Sequence, residues 1–342
     1  MNIKNCKKLK RQAAGHDGPL TDPDEMLLFK PSNKQEIDFY EQLAVREVKE
    51  NTNDVPFQDW TPTFLGVLQE NSDQINDKND GILAEEMGAF LHENKTANAQ
   101  SDGKTYLVLE NLLYGYVRPN VLDIKLGRVL WDHTADEEKK KRLNDVSKSS
   151  TSGSLGFRIC GMNISANRAT FDLDAKYQVP QDDSHIFINK YYGRELSGSN
   201  VIDAFDLFFG DDKLSAQNRQ ELIDMFLKRL QLFYNTLLNE EVRMVSSSLL
   251  FIYECDATRW ANLSQNQELI HPHISYDSDS DEASSEDNLT ASTSKKKELS
   301  RMSLIDFAHT KFAPGSGVDD NVIEGVESLI KIFEKLKTKY TI

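Results

Sequence analysis

Pro119-Asn120-Val121-Leu122-Asp123-Ile124-Lys125-Leu126-Gly127 is an apolar run interrupted by one carboxylate and one ammonium group, bounded by a proline and a glycine. Side chains of an extended segment alternate between faces, so Asp123 and Lys125 share one face and Ile124 takes the other. That face offers an acceptor and a cation together to a hydroxylated, phosphorylated molecule. An exposed ion pair of little energetic weight is the competing reading. Upstream, Tyr106-Leu107-Val108-Leu109-Glu110-Asn111 predicts a buried strand. Downstream, Thr134 and Glu137 have capping-box spacing and predict a helix through Glu138-Lys139-Lys140-Lys141-Arg142-Leu143. Its basic residues suit either substrate phosphates or a solvated charged face.

Farther out, Met26 to Pro31 reads as a strand stopped by proline. Gln35 to Val48 has helical spacing, with Ile37, Tyr40, Ala44 and Val48 on its inner face, and Thr61 to Leu68 returns to β character. Residues 71–103 are rich in Asn, Asp, Lys, Gln and Glu and read as a flexible loop inserted between strands. Ser215 to Glu240 predicts an amphipathic helix with Leu222, Met225, Phe226, Leu230, Phe233 and Leu237 inward. Val245 to Tyr253 reads as a central strand, and residues 319–338 as a last helix with Val322, Val326, Leu329, Ile330 and Phe333 inward. Between them, residues 274–300 form a Ser/Asp/Glu tract ending in Lys295-Lys296-Lys297 and read as disordered. The order is a β-rich first part followed by a mixed α and β part.

A chain of 342 residues with 39% hydrophobic and 28% charged residues has enough apolar surface for a sizeable core. No run approaches the roughly 18 apolar residues needed to cross a bilayer. Cys6, Cys160 and Cys255 fit neither a disulfide framework nor a zinc site, which predicts a reducing compartment. His16 and His133 have no metal-ligand spacing. The net charge of -15 argues against direct nucleic-acid binding by the whole chain. A site for polyanions must then be locally basic.

Phosphoryl transfer needs a cation on the nucleotide phosphates, a carboxylate for magnesium and a group that positions the accepting hydroxyl. Lys30 ends a strand and Glu36 follows on the next helix, a pattern that fits either a phosphate-binding lysine or a snorkelling one. Asp306, in Leu304-Ile305-Asp306-Phe307, fits a magnesium ligand or a turn-capping aspartate. Gly15-His16-Asp17-Gly18 can bring backbone N–H groups near phosphates but lacks Walker or dinucleotide-loop spacing.

Five segments in order resemble the inositol polyphosphate kinase family. Pro119 to Gly127 matches its PxxxDxKxG signature, and Ala14 to Gly18 is similar to its glycine turn. Ser154-Leu155-Gly156-Phe157-Arg158-Ile159-Cys160-Gly161, Ser247-Ser248-Leu249-Leu250 and Ile305-Asp306-Phe307-Ala308-His309 resemble its SLGFR, SSLL and IDFAH motifs.

The resemblance implies an α+β, two-lobed fold, distantly like the protein kinases, with antiparallel sheets, helices and ATP between the lobes. It implies an ATP-binding lobe over residues 1–112 and a second lobe over residues 113–342, with a short helical module at about residues 128–153 for the inositol phosphate. In this frame Lys30 contacts ATP phosphates, the backbone of Glu110 and Leu112 meets the adenine, and Asp123 meets the ribose beside the reacting hydroxyl. Lys125 bridges substrate and transferring phosphate, Asp306 holds Mg2+, and Lys139, Lys140, Lys141, Arg142, Lys190 and His309 touch the substrate. Animal multikinases carry glutamine where Lys190 stands. The trisphosphate 3-kinases have a larger helical module and a calmodulin-binding segment after the signature. The short stretch from Gly127 to Ser154 therefore implies an open site and the multikinase branch, acting on inositol 1,4,5-trisphosphate at positions 6 and 3. The alternatives are an inositol hexakisphosphate kinase or a non-catalytic scaffold. Fungal members are associated with arginine-gene control beside MADS-box transcription factors. This implies a monomer without a membrane anchor, in the nucleus and partly the cytoplasm, whose acidic tract engages such factors.

Overall fold

The computed structural model describes residues 3–14, 18–47, 54–70, 104–166, 170, 173–182, 184–263, 267–271 and 298–341. The whole insertion at 71–103, residues 15–17 of the glycine turn, and most of the acidic tract at 274–300 lie outside the described residues.

The signature segment is the strand β6, Pro119–Leu126, in a six-stranded antiparallel sheet. Pro119 opens it, the position where the missing N–H costs least. All of its side chains are buried except that of Lys125, which is partly exposed. Two apolar neighbours, β7 (Phe157–Ser165) and β11 (Ser248–Glu254), flank it, and β12 (Ser300–Ile305) pairs with β11. Register does the positioning: Lys125 lies opposite Ser248, and Ser248 lies opposite Ile305. Asp306, the next residue, therefore leaves the sheet at the end where Lys125 stands. A register shift between Asp123 and Ile124 against β7 puts a bulge at the carboxylate, the usual device for re-aiming a side chain at a functional site.

The second sheet has five antiparallel strands, with β5 (Thr105–Glu110) between β3 (Leu27–Pro31) and β4 (Phe64–Gln69). The ends of the 71–103 insertion meet at a Glu70 N–H to Lys104 carbonyl bond of 3.0 Å. His271 and Glu298 likewise meet at 2.9 Å across the acidic tract.

Helix α1, Lys34–Ala44, is capped by Asn33, whose side chain accepts from the Glu36 N–H. Its buried face is Glu36, Phe39, Tyr40 and Leu43. Of the predicted inner face, Tyr40 is buried and Ile37 packs partly buried against the core, whereas Ala44 is exposed and Val48 lies outside the described residues; aromatic contacts beyond the helix set its orientation. Phe39 lies 4.7 Å from Phe307 and stacks on Phe312 at 4.9 Å, so α1, which follows β3 of the five-stranded sheet, packs on the loop after β12 of the six-stranded one. Trp60, fully buried, packs edge-on against Phe233 at 5.2 Å and donates to Thr236 at 2.9 Å. One apolar cluster runs through both sheets.

After β6 come two helices rather than the single one expected, α2 (Glu137–Lys148) and α3 (Thr151–Leu155). Asp136, not Thr134, caps α2, accepting from the Lys139 N–H; Thr134 is instead bound to Asp132. The sequence also gave no sign of the short helices Lys190–Glu195, Val201–Phe209 and Ala257–Leu263. The long helices Ala216–Leu238 and Asp320–Tyr340 form as expected and pack together, with Phe226, Phe251 and Phe333 within ring contact. Among the described residues no helix is long and apolar enough to cross a membrane.

Gly156 has φ +72, and a Cβ on Gly325 would sit 2.3 Å from the Gly156 carbonyl oxygen. Only a bare backbone lets the last helix approach the start of β7 so closely. Gly325→Ala is expected to cost roughly 1–3 kcal/mol, read as a lowered melting temperature. Gly198→Ala, whose nearest neighbour would be 4.0 Å away, should leave it unchanged.

Candidate active site

Lys30 stands near the end of β3, where its ammonium meets Glu36 Oε1 and Asp306 Oδ1, both at 2.7 Å. Burial opposes its charge, but Asp306 and then Glu36 outweigh that cost, and the ammonium titrates well above its ordinary value. Glu36 is 1% exposed. It also accepts from the Ser32 hydroxyl and from the Phe307 N–H. The sequence-predicted Lys30–Glu36 pair is thus present, and Asp306 completes it from the other sheet.

Asp306 has φ 66 and Ser246 φ 63, two of only three non-glycine residues with positive φ among those described. Such backbone is held against its own preference by the surroundings, and it clusters at working sites. Lys125 donates to the Ser246 carbonyl at 2.6 Å, and the Ser246 hydroxyl donates to the Leu130 carbonyl at 3.2 Å.

Asp123 is 4% exposed. Its Oδ1 and the neighbouring Ser248 Oγ are buried without a hydrogen-bond partner of full geometry. Burial, and next the negative charge of Asp306, push Asp123 up to about 6, against weaker downward pulls from Lys125, Ser248 and Arg158. Asp306 thus raises Asp123, and Asp123 keeps an unsatisfied buried oxygen beside the carboxylate that Lys30 holds. This fits a divalent ion bound by a few protein oxygens and completed by phosphates. No group of three or more His, Cys, Asp or Glu side chains forms a metal cage among the described residues.

His309 Nδ1 lies 2.8 Å from Asp132 Oδ2. Burial raises the Asp132 carboxyl, but hydrogen bonds from Thr134 and His309 bring it down to about 2. Glu110 is held through its side chain by Arg301, at 2.5 Å and 3.2 Å, and by the Thr63 N–H at 3.1 Å. Leu112 is buried just beyond it.

The remaining sequence-predicted residues are dispersed. Lys139 and Lys140 are partly buried on α2, whereas Lys141 and Arg142 are exposed. Lys140 is engaged with Glu137 and lies over the Trp131 ring. Lys190 is exposed over the Tyr191 ring, and no described hydrogen bond or ion pair joins it to the Asp123 cluster. Three residues were missed. Arg158 lies opposite Lys125 and donates to Ser152 at 3.0 Å; its place in the SLGFR segment was the available signal. Ser246 and Asp132 carried none, since each works through the turn it sits in.

The family described as inositol polyphosphate kinase matches residues 106–334, more than half of the chain. The chain belongs to the inositol polyphosphate kinase family. It is 46% identical over 354 residues to the inositol polyphosphate multikinase of Saccharomyces cerevisiae, covering 97% of this chain and 99% of that protein. It is 31% identical over 325 residues to the inositol polyphosphate multikinase of Schizosaccharomyces pombe, covering 95% and 96%. A crystal structure of an inositol phosphate multikinase from S. cerevisiae in complex with ADP and Mn2+ matches with a TM-score of 0.70 at 43% identity, covering 91% of this chain and 99% of that one. The inositol polyphosphate kinase fold is therefore the α+β arrangement of antiparallel sheets and helices described above.

Asp123 gives a stability prediction. An aspartate in the unfolded chain ionises near 3.8, so from there up to about 6 the folded protein retains a proton that the unfolded chain has lost. Stability falls as pH rises through that window. Asp123→Asn removes this titration. Calorimetry is expected to give equal stability below pH 4 and a more stable variant above pH 6, by on the order of 3 kcal/mol at most.

Proposed function

We propose that this chain is an ATP-dependent inositol polyphosphate multikinase, converting inositol 1,4,5-trisphosphate to tetrakis- and pentakisphosphate at positions 6 and 3. The observation that carries the reading is the convergence, from two sheets, of Lys30, Asp306, Asp123 and Lys125 at one strand end. The near full-length likeness to the S. cerevisiae multikinase supports it, as does the ADP and Mn2+ complex of the solved relative. On this reading residues 1–112 bind the nucleotide and residues 113–342 the substrate.

Lys30 is the phosphate-binding cation, aimed by Glu36. Asp306, with Asp123 beside it, holds Mg2+. Magnesium supplies neutralisation of the phosphate charge. Lys125 is anchored at its ammonium by a carbonyl and keeps two further N–H donors for oxygens of the transferring group and the substrate. The backbone of Glu110 and Leu112 meets the adenine, with Arg301 fixing the Glu110 side chain away from it. Arg158, His309, Lys190 and the α2 lysines serve the phosphates of the substrate. In the reaction the substrate hydroxyl oxygen forms the new bond to the γ-phosphorus, the bond to ADP breaks, and the hydroxyl proton is released. Residence in the nucleus and partner binding through the acidic tract are the regulatory side of the same proposal.

Incubation with magnesium, ATP and labelled inositol 1,4,5-trisphosphate, followed by anion-exchange separation, is expected to show tetrakis- then pentakisphosphate. Asp306→Ala and Lys125→Met should each lower turnover by about 10²-fold or more. Turnover of the hexakisphosphate but not the trisphosphate would place the chain in the pyrophosphate-forming branch instead.

A further inference from the structure

We propose that Asp132 is a positioning residue for the phosphate-bearing acceptor, acting by fixing the ring of His309 so that its Nε2 faces the substrate. The proposal rests on the kinase reading above.

The Asp132 carboxylate is itself held in place. Its Oδ1 accepts from the Thr134 N–H at 3.0 Å and the Thr134 hydroxyl at 2.6 Å, leaving Oδ2 for His309 Nδ1 at 2.8 Å. An ionised carboxylate has no proton to give, so this bond runs from Nδ1–H to Oδ2. It therefore dictates the tautomer and leaves Nε2 as the outward nitrogen. The Asp132 side chain is 10% exposed and that of His309 33%, so the pair is anchored at its inner end and open at its outer one.

The fold does not need the ring contact to hold this turn. The Asn33 side chain donates to the Ala308 carbonyl, and that of Gln35 to the Thr310 carbonyl. The Val245 N–H donates to the His309 carbonyl, and the Thr310 hydroxyl meets that of Ser247. Backbone and neighbours are thus secured independently of the imidazole. The pair also joins the two segments that carry the chemistry. His309 follows Asp306 in the same turn. Asp132 lies two residues beyond Leu130, whose carbonyl accepts from Ser246, the residue that anchors Lys125. A fixed imidazole nitrogen at this place meets an oxygen of a polyol phosphate: it accepts from a hydroxyl when neutral and donates to a phosphate when protonated.

Asp132→Asn tests this, because an amide can offer Nδ1 either a donor or an acceptor and no longer dictates the tautomer. In the full-length unliganded enzyme, ¹⁵N shifts of the His309 ring are expected to show the Nδ1–H tautomer in the wild type and a mixture in the variant. The KM for inositol 1,4,5-trisphosphate should rise about tenfold or more, while that for ATP stays within about twofold. His309→Ala should match it, and the double variant should be no worse than either. Additive losses, an equal rise in both KM values or an unchanged KM would overturn the proposal. If Asp132→Asn does not fold, Thr134→Val removes one support from Asp132 and should give the same split at smaller amplitude; its absence would overturn the proposal equally. Wild-type protein inactive on the trisphosphate would sink the kinase reading, leaving the ring shifts to decide the Asp132–His309 pair alone.

Discussion

The ammonium of Lys30, bound by Glu36 from its own side and by Asp306 from the other sheet, is the constraint on which the rest of the site depends. A partly buried charge is tolerated only when paired, and breaking such a pair leaves an uncompensated charge that costs far more than the pair contributes. Its value lies in geometry. The same Glu36 that neutralises Lys30 accepts from the Phe307 N–H, so one carboxylate sets the lysine and the backbone just after Asp306. The aromatic packing of Phe39 on Phe307 and Phe312 then fixes α1 against that turn.

Asp123 is the counterpart, a group the fold holds at a cost. It is desolvated, it faces the charge of Asp306, and one of its oxygens is unpartnered. Folding alone would favour a neutral residue there. Together with the left-handed backbone of Asp306 and Ser246, this places several unfavourable terms side by side at the site. The long-range core can bear them: the paired helices behind the six-stranded sheet bury Phe226, Phe251 and Phe333 together.

Much of this was legible because strand periodicity and register are local. The alternation of Asp123, Ile124 and Lys125 gave a shared face, and the runs around Ser248 and Leu304 read as strands, whose pairing beside it only the structure supplies. What could not be read is non-local. Nothing in residues 34–44 says that Phe39 will meet Phe307 and Phe312, so Phe39 was left off the inner face of α1 and Ala44 was placed on it. Thr134 has the spacing of a cap, but Asp136 is nearer the first turn and Asp132 takes the threonine. Asp132 acquires its meaning only from a histidine that the chain brings to it from 177 residues away.

Both long insertions leave and re-enter the fold at closed points, Glu70 against Lys104 and His271 against Glu298. Lengthening such a closed excursion adds little, about 0.6 kcal/mol for each doubling. The strands on either side stay in register through their own ladders. Selection can therefore rewrite the text between these brackets, adding recognition elements or modification sites, without renegotiating the catalytic geometry. Descendants of one kinase scaffold can in this way diverge in their regulation and company while their chemistry stays the same.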